Sequence, residues 1–210
     1  MAIQLKRWPV VVFEGVDAAG KTTQISMLEH ALLGHGVPVT TTGVFKTQYG
    51  RDLRTWFMDA DRMAYANPHT QLFLLGSAMS QLADEIEASA ASVVLVDRFV
   101  YTTMAYHGGG LQMGIDAVEE VYAPVLRRLQ PELVIILDLP YDLIAVRKQV
   151  TDRIETKGAA FHERVRQAYL TIASLMTNAA VVDARRSPRE VHREVLQLVS
   201  GYLSADFSSA

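Results

Sequence analysis

"FEGVDAAGKTTQ", Phe13 to Gln24, stands between the apolar run "WPVVV" and the helical-looking "ISMLEHALL", and its two glycines and one lysine decide how the rest of the chain is read. Within it "GVDAAGKT", Gly15 to Thr22, fits G-x-x-x-x-G-K-[ST] and lies where that pattern has to lie, between a strand and a helix. Glycines at these places let backbone N–H groups turn inward around phosphate oxygens, and the helix that follows adds its unpaired N-terminal donors and its dipole. Lys21 then supplies a point charge to terminal phosphates and Thr22 a hydroxyl to Mg²⁺, so the stretch predicts a nucleoside triphosphate site.

The chain around this loop reads as an α/β protein. Short apolar runs, "VVVFEG", "VPVTTTG", "SVVLVDR", "LVIILDL" and "AAVVDA", alternate with longer stretches of helical period, the pattern of a parallel sheet covered on both faces. The helical stretches start at Lys21, Asn67 and Ile115, with a long one from Tyr141 to Asn178. A last helix is predicted from Pro188 to Tyr202, with Ser187 as N-cap and Glu190 closing a capping box, followed by a frayed tail "SADFSS". With 210 residues, no repeat and no linker, residues 1–210 are expected to form one domain.

Composition narrows the partners. A net charge of −3 gives no electrostatic footprint for a nucleic acid, and the absence of cysteine removes disulfides and zinc-thiolate sites. No apolar run approaches the roughly 20 residues that span a bilayer, and the N-terminus lacks the features of a signal peptide. A cytoplasmic protein without a nucleic-acid or membrane partner is expected.

A nucleotide loop does not name an activity. A GTPase would carry Asn-Lys-x-Asp, but neither Asn67 nor Asn178 is followed by lysine. The third apolar run ends on Asp97-Arg98, and ligands of open parallel sheets gather beyond the carboxyl ends of the strands. Asp97 suits a metal-bound water or an acceptor oxygen, and Arg98 offers a planar fork for a second phosphate; the plain alternative is a salt bridge between the two. "HGGG", His107 to Gly110, has no G-x-S-x-G partner that would make it a hydrolase oxyanion loop. It reads as a flexible loop, with His107 structural or solvent-facing.

Four segments, in order, resemble those of thymidylate kinases, P-loop enzymes that transfer the ATP γ-phosphate to thymidine monophosphate. They are "FEGVDAAGKTTQ" for the phosphate loop, "DRFVYTTMAYHGGG" for Asp-Arg-Tyr…Ala-Tyr-Gln-Gly, "DRIETKGAAFHERVRQAYL" for the lid and its helix, and "VVDARRSPREV" for the loop beside the adenine. The resemblance implies a three-layer P-loop NTPase fold with a five-stranded parallel sheet, a lid at about 145–160, and a homodimer. It implies that Gly15, Ala18, Ala19, Gly20, Lys21, Thr22 and Thr23 serve ATP, with Arg185 on the adenine side. Thr22 and Asp97 would hold Mg²⁺, Asp17 would lie near the acceptor sugar and phosphate, and Arg98 would touch the acceptor phosphate.

Where relatives carry a basic residue in the phosphate loop this chain has only Ala18 and Ala19, so a transition-state cation must come from the lid, "AVRKQVTDRIE". Arg153 is the first candidate, with Arg147 and Lys148 beside it; one arginine so placed is worth ~10³ to 10⁵ in rate. The acceptor side departs further. "TTGVFKTQYG" lacks the family's basic residue, with Lys46 one position away, and "LLGSAMSQL" puts Leu75 and Met79 where relatives have a thymine-stacking phenylalanine and a base-reading arginine. Phe73, Tyr101 and Tyr106 are candidates for a rebuilt aromatic wall. The run Leu72, Phe73, Leu74, Leu75, Met79, Leu82 and Ile86 otherwise predicts a helix buried on most sides.

The expectation is a Mg²⁺- and ATP-dependent nucleoside monophosphate kinase whose acceptor is dTMP or a related, non-standard monophosphate. The alternatives are a kinase for a nucleoside or other small acceptor, a non-catalytic nucleotide-binding regulator, and an ATPase coupled to a partner protein.

Overall fold

The computed structural model describes residues 9–59, 66–147 and 157–203. The core is a sheet of five parallel strands, β1 (Val10–Glu14), β2 (Val39–Gly43), β3 (Val93–Asp97), β4 (Leu133–Asp138) and β5 (Ala179–Asp183), in the spatial order β2-β3-β1-β4-β5. The three central strands are built from Val, Leu, Ile and Phe because helices cover both faces, and β1 is buried at every position. The edge strands β2 and β5, half open to solvent, carry Thr and Ala instead.

The helices are α1 (Lys21–Gly34), α2 (Gln48–Met58), α3 (Pro68–Glu87), α4 (Val100–Thr103), α5 (Ile115–Arg128), α6 (Tyr141–Arg147), α7 (Ala159–Leu175) and α8 (Pro188–Leu203). The sequence missed α2, a largely polar stretch that starts at Thr47, whose side chain accepts from the Gly50 amide at 2.8 Å. The expected capping box of α8 is present: the Glu190 carboxylate accepts from the Ser187 amide at 3.0 Å, and Ser187 Oγ from the Glu190 amide at 3.4 Å. The tail "SADFSS" lies outside the described residues.

The "HGGG" stretch is not a loop. Met104–Gly110 continues α4 as a π-helix, with the Leu111 amide donating to the Tyr106 carbonyl at 2.9 Å, and His107 is buried within it. The glycines admit neighbours rather than supply motion. A Cβ at Gly109 would stand 2.3 Å from Ala168 Cβ, and one at Gly110 would stand 2.6 Å from the Phe161 ring, both on α7. On α3, expected to be buried on most sides, Leu72, Leu75, Met79, Leu82 and Ile86 face the interior while Phe73 is 66% exposed.

The parallel sheet brings the carboxyl ends of all five strands to one edge. Gly15, Gly43, Asp97, Asp138 and Asp183 stand at or just beyond those ends, and the site lies above them.

Candidate active site

The phosphate loop takes its shape from its glycines. Gly15 has φ 131°, and a Cβ there would meet the Leu137 carbonyl of β4 at 2.5 Å, so only glycine lets the chain leave β1 beside β4. Ala18 (φ 60°) and Gly20 (φ 94°) complete the turn into α1, whose N-terminus has no side-chain cap and leaves first-turn amides for another acceptor. Thr22 and Thr23 on that turn are exposed.

Lys21 is 7% exposed and donates to the Gly15 carbonyl at 3.0 Å and the Val16 carbonyl at 2.8 Å. Burial, and next the charge of Arg98, lowers its pKa to about 7, against the opposing pull of Asp17, Asp97 and Glu14.

Across the loop, Arg98 follows β3 in the left-handed region at φ 66°. Its Nη2 pairs with Asp17, and its Nη1 donates to the Gly15 carbonyl at 3.0 Å and Thr102 Oγ1 at 3.2 Å. Burial works against the guanidinium charge, but Asp17 with Tyr106, Tyr169 and Glu14 outweighs it and holds the pKa above its ordinary value. Asp97 does not pair with Arg98; its partner is Lys46, whose Nζ lies 3.8 Å from Oδ2. The two acid–base pairs are therefore Asp17 with Arg98 and Lys46 with Asp97.

These groups line one cavity of about 710 Å³. Gly20, Lys21, Thr22 and Thr23 form one wall, Lys46, Asp97 and Arg98 another, and Arg147 of α6 a third. Arg54, which the sequence reading missed together with α2, projects into the same space. Two smaller spaces share its walls. One, of about 320 Å³, lies between Gly20, Thr23, Arg147, Arg186 and Pro188, with Ala18 and Ala19 at its edge. Arg147 anchors it by donating to the Ala184 carbonyl at 3.0 Å. Arg185, the expected residue here, instead holds Asp183 through two bonds of 2.9 Å, and Arg186 lines the space in its place.

The other space, of about 120 Å³, opens behind Asp17 and Arg98 and is apolar: Phe45, Phe57, Leu75, Met79, Tyr106 and His107 enclose it. Leu75 and Met79 are one turn apart on α3, and Tyr106 lies under the Arg98 guanidinium at 5.9 Å from the ring centre. Of the residues proposed for an aromatic wall, Tyr106 is in place. Phe73 points outward, and Tyr101 lines a separate cleft with Ile115 and Ile172. Phe45 and Phe57, 6.2 Å apart, supply the rings.

A thymidylate kinase family model matches residues 13–195. The chain belongs to the thymidylate kinase family. It is 33% identical over 206 residues to the thymidylate kinase of Pelotomaculum thermopropionicum, covering 93% of this chain and 94% of that one. It is 32% identical over 203 residues to that of Chromobacterium violaceum (93% and 95% covered) and 29% identical over 199 residues to that of Fervidobacterium nodosum (92% and 99% covered).

As a thymidylate kinase family member the protein is a phosphotransferase, and two of the acceptor-side segments singled out in its sequence meet in one pocket. Phe45, Leu75 and Met79, from segments far apart in sequence, all line the 120 Å³ pocket. The lid candidates Lys148 and Arg153 lie outside the described residues. No described helix is long and apolar enough to cross a membrane.

Proposed function

We propose that the protein transfers the γ-phosphate of ATP to dTMP or a closely related nucleoside monophosphate. The observation that carries this reading is the shared cavity: a phosphate loop on one wall faces Lys46, Arg54 and Arg98 on the other, and the space continues into a small apolar pocket. Two anionic substrates fit the cationic walls, and the pocket of about 120 Å³ takes the acceptor base by enclosure between rings and aliphatic chains.

The loop fits a triphosphate by its glycine turn, its uncapped helix and the position of Lys21. Lys21 neutralises charge on the phosphates, and Ala18, Ala19 and Arg186 border the space for the donor base. Thr22 and Asp97 would hold Mg²⁺, which when bound adds positive charge to the transferring group. Arg98, oriented by Asp17, aligns the acceptor phosphate with Lys46 and Arg54 beside it. An oxygen of that phosphate attacks the γ-phosphorus in line, a new P–O bond forms, the bond to the β,γ-bridging oxygen breaks, and ADP leaves. The attacking oxygen is already anionic, so no general base is required. Arg147 contributes a lid-side cation, with Arg153 and Lys148 proposed for the same duty. A cytoplasmic homodimer is proposed with the family.

ADP release with Mg²⁺-ATP, measured over nucleoside monophosphates, nucleosides and phosphorylated small molecules against a no-acceptor control, tests the proposal. Turnover confined to pyrimidine monophosphates, dTMP among them, is the expected result. Turnover of a nucleoside with none of any monophosphate would refute it, and ATP binding without transfer to any acceptor would leave a nucleotide-binding regulator.

A further inference from the structure

Glu14 ends β1 one residue before the phosphate loop, yet it is fully buried and presents no free oxygen to the cavity. Its Oε1 accepts from the backbone amides of Phe99 at 2.8 Å and Thr102 at 3.2 Å, and its Oε2 from Thr102 Oγ1 at 2.5 Å and the Tyr169 hydroxyl at 3.1 Å. Four donors converge on a group that, when ionised, can only accept. An acid beside a phosphate loop invites the role of base for a hydroxyl acceptor, but total burial and saturated oxygens exclude it here.

The four bonds instead set the polarity of what lies behind Arg98. Thr102 has one hydroxyl proton and gives it to Glu14; the Tyr169 proton goes to Glu14 or to Thr102 Oγ1, 3.0 Å away. Each hydroxyl oxygen is then left with lone pairs and no proton for its other side. On that side stands Arg98 Nη1, 3.2 Å from Thr102 Oγ1 and 3.5 Å from the Tyr169 hydroxyl. Two hydroxyls forced to act as acceptors, together with the Gly15 carbonyl at 3.0 Å, fix the inner edge of the guanidinium and leave its outer edge for Asp17 and the cavity. The Phe99 and Thr102 amide bonds also pin the backbone on the far side of the left-handed Arg98. Burial raises the Glu14 pKa, opposed by the Thr102 and Phe99 hydrogen bonds and by Arg98 and Lys21, so the carboxylate and the two cations depend on one another.

We propose that Glu14 is a positioning residue for the acceptor: through Thr102 and Tyr169 it orients Arg98, and it touches neither substrate. The inference rests on the reading of Arg98 as the acceptor-phosphate residue. Glu14 lies behind the site and reaches it only through its partners, among them Thr102, which lines the acceptor pocket, and acceptor affinity depends on it.

Steady-state kinetics with dTMP and ATP varied separately, supported by calorimetric binding of each, test it in Glu14→Gln. The carboxamide keeps the shape but brings a donor where donors already converge, so one hydroxyl must turn its proton toward Arg98. A rise in the dTMP KM of roughly tenfold or more is expected, with a clearly smaller change in the ATP KM and ATP affinity, because losing the Glu14 charge also removes one of the pulls that keep Lys21 protonated. Should Glu14→Gln not fold, Tyr169→Phe, which removes only the hydroxyl, must raise the dTMP KM alone. Unchanged dTMP KM in a folded Glu14→Gln protein, or dTMP and ATP KM rising by the same factor, would overturn the inference. Arg98→Ala separates the two levels. If it leaves dTMP binding intact, the acceptor reading itself is wrong; if it weakens dTMP binding while Glu14→Gln does not, only the role of Glu14 falls.

Discussion

Arg98 is tied to Asp17 across the mouth of the apolar pocket, the guanidinium of a residue just past β3 meeting the carboxylate of the phosphate loop. The pair joins the donor and acceptor halves of the site through two side chains. Arg98→Ala should therefore raise the acceptor KM by on the order of 10- to 100-fold without a comparable loss of ATP binding, because the loop amides remain and removal of the Arg98 charge favours protonated Lys21. Equal losses for both substrates would show that Arg98 serves the loop rather than the acceptor.

Lys21 gives a pH signature. Its pKa in the structure is lowered to about 7 from an ordinary 10.5, first by burial and then by Arg98. Phosphate bound beside it favours the charged form, so ATP binding takes up a proton above pH 7. The ATP Kd should weaken as pH rises from 7 to 9, by up to about tenfold per unit. Calorimetry in buffers of different ionisation enthalpy reads the proton directly. A flat Kd with no proton uptake would mean that Lys21 stays charged throughout.

Two phenylalanines separate the observed pocket from the one the sequence suggested. Phe45→Ala removes a ring from the apolar wall and should raise the acceptor KM roughly tenfold, the order of a lost base–aromatic contact. Phe73→Ala, at an outward-facing site, should leave it unchanged. The reverse result would place the acceptor base on the other side of α3.

Gly109→Ala tests why three glycines stand in a row. The new Cβ would meet Ala168 Cβ at 2.3 Å, so the π-helix and α7 must part, at a cost of about 1–3 kcal/mol. Thermal melting checks this, and an unchanged Tm would mean the contact yields freely.

What the sequence made legible follows from the kind of signal each feature carries. The phosphate loop could be read because glycine, lysine and threonine spacing is itself the chemistry, and the strands because a sheet covered on both faces leaves unbroken apolar runs such as "VVLV". In "LFLL" four adjacent apolar residues cannot all face inward on a helix, and only the packing of α3 shows that Phe73 is the one left out. Glycine is ambiguous in the same way, since close approach and flexibility need the same residue, and "HGGG" turned out to be the former. Arg185 and Arg186 differ by one position; which of them lines the cavity depends on Asp183 and Glu194, the partners each one finds. Phe45 and Phe57 carried no motif, and α2, which brings Arg54 and Phe57 to the site, gathers most of its apolar residues at its end, Trp56 to Met58, so no helical repeat announced it.

The most direct measurement is ³¹P NMR of the purified protein with Mg²⁺-ATP and dTMP. The account predicts that the dTMP singlet is replaced by the paired doublets of dTDP as ATP becomes ADP, and that Lys21→Ala, still folded, slows this by orders of magnitude. ATP that remains intact, or that loses its γ-phosphate only as inorganic phosphate while dTMP persists, would contradict it.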